Sequence, residues 1–331
     1  MPQSRVAALW ERGQALWRFW QARPRLRLAV NLGLAAGLLV FVAWYFWHDM
    51  RQVLAEDITF SLPPLAGALL LYGVNFALFV VAWRSIVERL GGPAGWRYNA
   101  LRYANTSLTR FLPTPAWFLA SRVQGYAQPG LGRRAALAMT ALETLLHMWT
   151  GAVFYGLLAV DPQRPLTWLY LLLLAPVAAV LLRPTWLNLE WMSGGPVLPG
   201  IRRRDIVLWL ALYTLTWVLA GPFFGLTIQA FSTVTPLPLP DLWRTWALSG
   251  VVAYISSYTL GGLGVLREFA LTLLLARFYP TPVALLIALV VRLVLTGAGL
   301  AWGVGLAGGL ILAGRGGAPE PPLPTDVKEQ V

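Results

Sequence analysis

The residues of this chain whose type and position can do chemistry are charged side chains set inside apolar runs. Glu143 lies in Ala141-Leu142-Glu143-Thr144, about ten residues into one such run, and Arg292 lies about ten residues into the last. At 1.5 Å rise per helical residue both are ~15 Å deep, where an ionised group costs ~2.5 to 3.5 kcal/mol on insertion scales. His147 follows Glu143 by one helical turn and shares its face. Arg267 and Glu268 come just after Gly261-Gly262-Leu263-Gly264, while Arg110 and Arg122 flank Leu112-Pro113-Thr114-Pro115. Helix breaks expose backbone N–H groups, helix N-termini attract anions, and arginine presents a planar donor fork suited to phosphate. The functional expectation is an anion site between two broken helices. The structural alternative is an internal salt bridge, Glu143 with Arg292 or Arg267 with Glu268.

Other chemistries are poorly supplied. The chain has no cysteine and only two histidines, His48 and His147, so thiol nucleophiles, thiolate zinc sites and histidine-built metal clusters are not expected, and no cofactor is expected. The glycines at 261, 262 and 264 lack the Lys-Ser/Thr ending and preceding strand of a nucleotide loop, which favours a sharp bend or close helix packing. Asn105, Thr106, Ser107 and Thr109, like Ser256, Ser257, Tyr258 and Thr259, make the arm before each break polar; they either line a wet cavity or bond across helices. The seventeen tryptophans read mostly as interfacial anchors.

The elements that must position these residues follow from composition. Of 331 residues, 57% are hydrophobic and only 12% charged, with mean hydropathy +0.61. A soluble protein carries about 25% charge, so an all-α integral membrane protein is expected and a large aqueous catalytic domain is excluded. The net charge of +12 is almost wholly arginine, Lys328 being the one lysine. These arginines cluster between apolar runs, as orientation of membrane spans requires, rather than forming a basic face for nucleic acid.

Apolar runs at about 28–47, 62–83, 135–160, 166–182, 206–230 and 283–313 are long enough, or nearly so, to cross ~30 Å of hydrocarbon. Two further runs, about 99–121 and 242–278, are broken near their middles by the proline and glycine motifs. Arg84, Arg89, Arg97 and Arg102 before the first break, and Arg122, Arg133 and Arg134 after it, all belong on the cytoplasmic side. That run therefore enters and leaves from the inside, and the second, by the same counting, from the outside. The expectation is six full spans and two re-entrant hairpins in an inverted repeat, with halves at roughly 28–160 and 166–313. Eight plain spans with kinks are the simpler alternative. Residues 1–27 read as a basic amphipathic cytoplasmic segment and 314–331 as a disordered Pro-rich tail. Both termini are then cytoplasmic and the location is the cell membrane.

With these residues in place, the chain resembles the membrane domain of the lysyl-phosphatidylglycerol synthase and flippase proteins over roughly 30–312. Phe111-Leu112-Pro113-Thr114-Pro115-Ala116-Trp117 with Arg122 looks like the Trp-containing form of that family's Leu-Pro-Gly motif, followed by its recurring Glu at Glu143. Gly261-Gly262-Leu263-Gly264-Val265-Leu266-Arg267-Glu268 with Arg292 is similar to the second motif. Trp117 and Phe118 stand where the commoner first motif has Gly-Glu, and Arg267 where the second has its Glu.

The resemblance implies a translocase that moves an anionic phospholipid or polyprenyl-linked lipid between leaflets, and not an enzyme. The candidate headgroup and translocation residues are Arg122, Glu143, Arg267, Glu268 and Arg292. Hairpin breaks fall at Pro113, Pro115, Gly261, Gly262 and Gly264, and Asn105, Arg110, Trp117 and His147 are secondary candidates. Two other functions stay open: a lipid-binding accessory to a lipid-modifying enzyme, and a polyprenyl-phosphate glycosyltransferase using Asp49, Glu56 and Asp57. The expected partner is a membrane lipid; a separate lipid-modifying enzyme or a second copy of the chain is also open.

Overall fold

A computed structural model of the chain describes residues 60–109, 115–127, 132–184, 201–231, 234–259 and 266–315. The amphipathic N-terminal segment, the 28–47 run, Arg110, Pro113, Gly261, Gly262, Gly264 and the Pro-rich tail from 316 lie outside these residues. The described chain is all-helical: α1 Leu62–Arg89, α2 Trp96–Leu108, α3 Pro115–Ala127, α4 Arg133–Ala159, a 3-10 helix Pro165–Leu173 running into α5 Leu174–Leu182, α6 Arg203–Gln229, α7 Leu239–Thr259, α8 Leu266–Leu275 and α9 Thr281–Arg315. Among the described residues the β pairing is an isolated bridge between Phe60 and Phe231.

Four helical stretches, Leu62–Arg89, Pro165–Leu182, Arg203–Gln229 and Thr281–Ala313, are long and apolar enough to cross a membrane, which is compatible with a multi-pass membrane protein. The 27-residue α4 matches them in length but carries Glu143, Thr140, Thr144 and His147 in its middle. Each of the two broken runs is a pair of shorter helices, α2 with α3 and α7 with α8. Their ends follow local chemistry. α1 opens on Pro63 and Pro64, which need no N–H partner in the first turn, and closes on Gly91 at φ 80 with Gly92 N–H donating to Val87 O at 2.8 Å. α3 opens on Pro115.

α1 and α6 run antiparallel along their whole length. Ser61 N–H donates to Ala230 O at 2.8 Å at one end, Trp209 Nε1 donates to Ser85 Oγ at 3.0 Å near the other, and Arg89 pairs with Asp205 beyond it. Around this pair the packing has a two-part pattern. If α1 is exchanged with α6, α2 with α7, α3 with α8 and α4 with α9, every substantial contact among these eight helices maps onto another: α2 on α9 becomes α7 on α4, α3 on α4 becomes α8 on α9, and α4 on α6 becomes α9 on α1. The sequence carries a trace of this. Trp96-Arg97 with Ala100-Leu101 opens α2, and Trp243-Arg244 with Ala247-Leu248 recurs in α7. Both alanines are fully buried, and both arginines cap carbonyls toward the end of the other half's long helix: Arg97 donates to Leu310 O at 3.1 Å and Arg244 to Leu158 O at 2.7 Å.

Hydrocarbon gives no hydrophobic drive for helix association, so close packing and hydrogen bonds must hold the helices together. Here two tryptophans, Trp217 and Trp302, do both. Trp217 on α6 enters the gap between Gly151 on α4 and Gly250 on α7, where added β-carbons would lie 2.5 Å and 2.6 Å from its ring, and its Nε1 donates to His147 O at 3.0 Å. Trp302 on α9 occupies the space beside Gly73 on α1 and donates to Leu69 O at 2.8 Å. Trp243 solves a different problem. Pro222 inside α6 has no N–H to offer Val218 O, and the Trp243 indole donates to that carbonyl at 2.9 Å.

Candidate functional site

The candidate charges fall into two ion pairs, neither of them the pairs expected from depth in the chain. Arg122 Nη1 on α3 lies 3.3 Å from Glu143 Oε2 on α4, and Arg292 Nη1 on α9 donates to Glu268 Oε1 on α8 at 3.1 Å. Each pair joins the second arm of a broken run to the helix that follows it, and the exchange of halves maps one onto the other with the charges reversed. The structural alternative names Glu143 with Arg292 and Arg267 with Glu268, and Arg267 does lie within electrostatic reach of Glu268. The two bridges seen follow from α4 and α9 each packing on their own preceding arm.

The two pairs differ in access. Arg122 is wholly buried, its guanidinium 3.7 Å over the Trp83 ring, 4.5 Å from Tyr103 and 5.0 Å from Phe118. None of its three side-chain nitrogens makes a hydrogen bond among the described residues. Its charge is balanced by Glu143 and by the negative faces of aromatic rings. Arg292, by contrast, is 49% exposed against 9% for Glu268, so the second pair opens to the surface on its arginine side. Arg267 stacks 4.2 Å over the Trp246 ring and stands beside the pair.

His147 lies in an aromatic box. It stacks on Trp217 at 4.6 Å, meets Phe79 and Tyr254 edge-on at 4.9 Å and 5.1 Å, and approaches Thr216 Oγ1 through Nδ1 at 3.4 Å. Tyr213 is fully buried within electrostatic reach of Arg122, Glu143 and Tyr254, and Tyr254 is in turn within reach of Arg267. A line of polar groups therefore crosses the protein interior from Arg122 and Glu143, past His147, Tyr213 and Tyr254, to Arg267, Glu268 and Arg292. Of the polar arm residues, Thr106, Ser107 and Thr109 donate to backbone carbonyls three residues back, and Ser256 does the same. Thr109 and Ser121 hydroxyls also meet at 2.9 Å, linking α2 to α3. The arms thus use both options, local bonding and a bond across helices.

Asn105 is exposed on α2. The backbones of Pro115 and Trp117 lie in α3. Sequence reasoning counted Arg102, which lies in the middle of the helix α2 that begins at Trp96, only among the arginines that orient the first broken run. It also missed the aromatic enclosure of Arg122; the recurrence of Trp83, Tyr103 and Phe118 on three different elements leaves no spacing signal. Among the described residues there is no group of three or more His, Asp or Glu able to hold a metal ion. Compared with known proteins, the chain matches no family model and no curated protein.

Proposed function

We propose that this protein is a membrane lipid translocase that moves an anionic phospholipid or polyprenyl-linked lipid between leaflets. In this reading six spans are formed by the 28–47 run, α1, α4, the Pro165–Leu182 stretch, α6 and α9. α2/α3 re-enters from the cytoplasmic side and α7/α8 from the outside, with both termini cytoplasmic in the cell membrane. The resemblance noted above implies the same activity.

The observation that carries the proposal is the pair of Arg–Glu bridges in exchange-related positions, one sealed and one open on its arginine side. A chain that needed ions only for stability would gain little from burying Arg122, Glu143 and Glu268, because apolar residues of similar volume pack there at equal or lower cost. Charges retained inside a membrane protein are by default functional. Arginine facing a polar interior suits a phosphate-bearing headgroup, whose acyl or prenyl tails remain in the lipid. Such a headgroup contacts Arg292 and Arg267 first, while Arg122 becomes reachable only when α3 moves relative to α1 and α4.

The test is transfer of fluorescent phosphatidylglycerol and of a short polyprenyl phosphate in vesicles reconstituted with the full chain, read by quenching of the outer leaflet. The expected result is faster exchange than in protein-free vesicles, lost in Arg292→Gln. Retained lipid with exchange no faster than in empty vesicles would instead favour the accessory role.

A further inference from the structure

We propose that the cleft between α2 and α3 is a binding site for a phosphate-bearing anion, with the Arg102 guanidinium as its charged contact. The cleft encloses about 240 Å3 and is lined by Arg102, Asn105 and Thr106 of α2 and by Ser121, Gln124 and Gly125 of α3. No apolar side chain contributes to the lining. Each set follows the same i, i+3, i+4 spacing, so two polar stripes face each other across the hairpin.

Arg102 is held in place rather than left trailing. Its guanidinium lies 5.4 Å from the Tyr98 ring centre, and the Tyr98 hydroxyl donates to Gly125 O at 2.9 Å, which fixes that aromatic platform against α3. Among the described residues Arg102 has no carboxylate within ion-pair distance, unlike Arg84, Arg89, Arg122, Arg244 and Arg292. A guanidinium lying on a ring keeps its edge donors available for an anion. Gly125 keeps the space open: a β-carbon there would touch Arg102 Cδ at 3.6 Å, and any longer side chain would enter the cleft.

The mouth carries exposed Asn105 and Gln124. Neither amide is at home against hydrocarbon, so this side of the hairpin meets water or lipid headgroups. The second half provides an internal comparison. Continuing the register set by Trp96-Arg97 and Trp243-Arg244 places Ser249, Val252 and Ala253 where the first half has Arg102, Asn105 and Thr106. A hairpin of this kind is therefore built without the guanidinium and the amide. The guanidinium and the amide are thus particular to the first half, where they offer an anion its donors.

The shared chemistry is a phosphate oxygen taking the arginine fork, supported by amide donors, and it comes either from a lipid phosphodiester or from a soluble phosphate. The lipid source rests on the translocase reading, in which the cleft is the docking point of the headgroup on the hairpin. The site itself does not rest on it.

Isothermal titration of the full chain in detergent micelles with dihexanoyl-phosphatidylglycerol, dihexanoylglycerol and inorganic phosphate tests the proposal. The phosphodiester, inorganic phosphate or both bind, and the phosphate-free glycerol does not. The ligand that binds identifies the source. Arg102→Gln weakens that binding about tenfold or more, the loss expected for a charged hydrogen bond. Asn105→Leu, at an exposed position, weakens it with the arginine intact and decides the matter if Arg102→Gln melts early. Unchanged affinity in either variant, provided it melts as the unmodified protein does, overturns the cleft. Vesicle transfer separates the two readings: lost binding in these variants with no wild-type lipid transfer keeps the cleft and removes the translocase, while intact binding with active transfer does the reverse.

Discussion

Arg122 reaches from α3 to Glu143 on α4 at 3.3 Å, with neither side chain more than 4% exposed. An ion pair taken this far from solvent is stable only while both partners are present. Glu143→Leu alone strands the guanidinium among Trp83, Tyr103 and Phe118 and is expected to lower stability by ~3 to 5 kcal/mol. Arg122→Met together with Glu143→Leu removes both charges and is expected to recover most of that loss. Thermal unfolding of both single variants and the double in detergent measures it. Lipid transfer by the same proteins then distinguishes role from support: the double variant is expected to be stable and inactive, and a stable double that still moves lipid defeats the functional assignment.

The Arg292–Glu268 pair has less to lose in stability. With Arg292 49% exposed, solvent screens the interaction, and pairs of this kind contribute ~0 to 1 kcal/mol. Arg292→Lys keeps the charge but removes the two-pronged donor. The expected outcome is a melting temperature close to that of the unmodified chain with a marked fall in lipid transfer. Equal transfer rates would remove Arg292 from the headgroup path.

The long apolar helices and the two breaks were legible in the sequence because both are local signals. The runs at 135–160 and 206–230 match α4 at Arg133–Ala159 and α6 at Arg203–Gln229. Partners across helices were not legible. Glu143 and Arg292 sit at similar depth in matching helices, which made them look like a pair, yet depth fixes only height and not which neighbour a face meets. Arg102 was hidden by a different cause. In the sequence it counts only as one of the arginines that orient the first broken run, and its place opposite Ser121 and Gln124 appears only when α2 packs on α3.

Trp243 and Pro222 are expected to be coupled. The indole N–H satisfies the Val218 carbonyl that Pro222 leaves without its helical donor. Trp243→Phe keeps most of the ring but leaves a part-buried acceptor without its donor, at a cost of ~1 kcal/mol. In a Pro222→Ala background the alanine N–H reaches Val218 O itself, so the same Trp243→Phe change costs less. A double-mutant cycle in thermal stability reads the coupling directly; additive losses would show that the indole acts only by filling space.

Close packing around Trp217 makes glycine position-specific. Gly151→Ala places a β-carbon 2.5 Å from the Trp217 ring, which the neighbours accommodate only by moving the indole off the His147 carbonyl. The expected loss is ~1 to 3 kcal/mol from overpacking. At Gly297 and Gly305 on α9 nothing lies within 4 Å of an added β-carbon, so alanine there is expected to be neutral or to stabilise by up to ~1 kcal/mol. Melting of the three single variants checks the contrast, and equal effects at all three positions would refute it.

The proposed membrane topology rests on where the α2/α3 and α7/α8 pairs begin and end. Ala94 precedes α2, Gly132 follows α3, and both are exposed, as are Gln163 before the Pro165–Leu182 stretch and Pro236 before α7. The chain has no cysteine, so single cysteines at these positions report their side of the membrane without background. The arginines on both sides of the first hairpin are expected to hold its two ends in the cytoplasm, since basic residues near span ends set orientation. Labelling by an impermeant maleimide in intact cells should therefore reach positions 163 and 236 but not 94 or 132, which become reactive only after lysis. If Ala94→Cys and Gly132→Cys label on opposite faces, the α2/α3 pair crosses the membrane and the re-entrant reading fails.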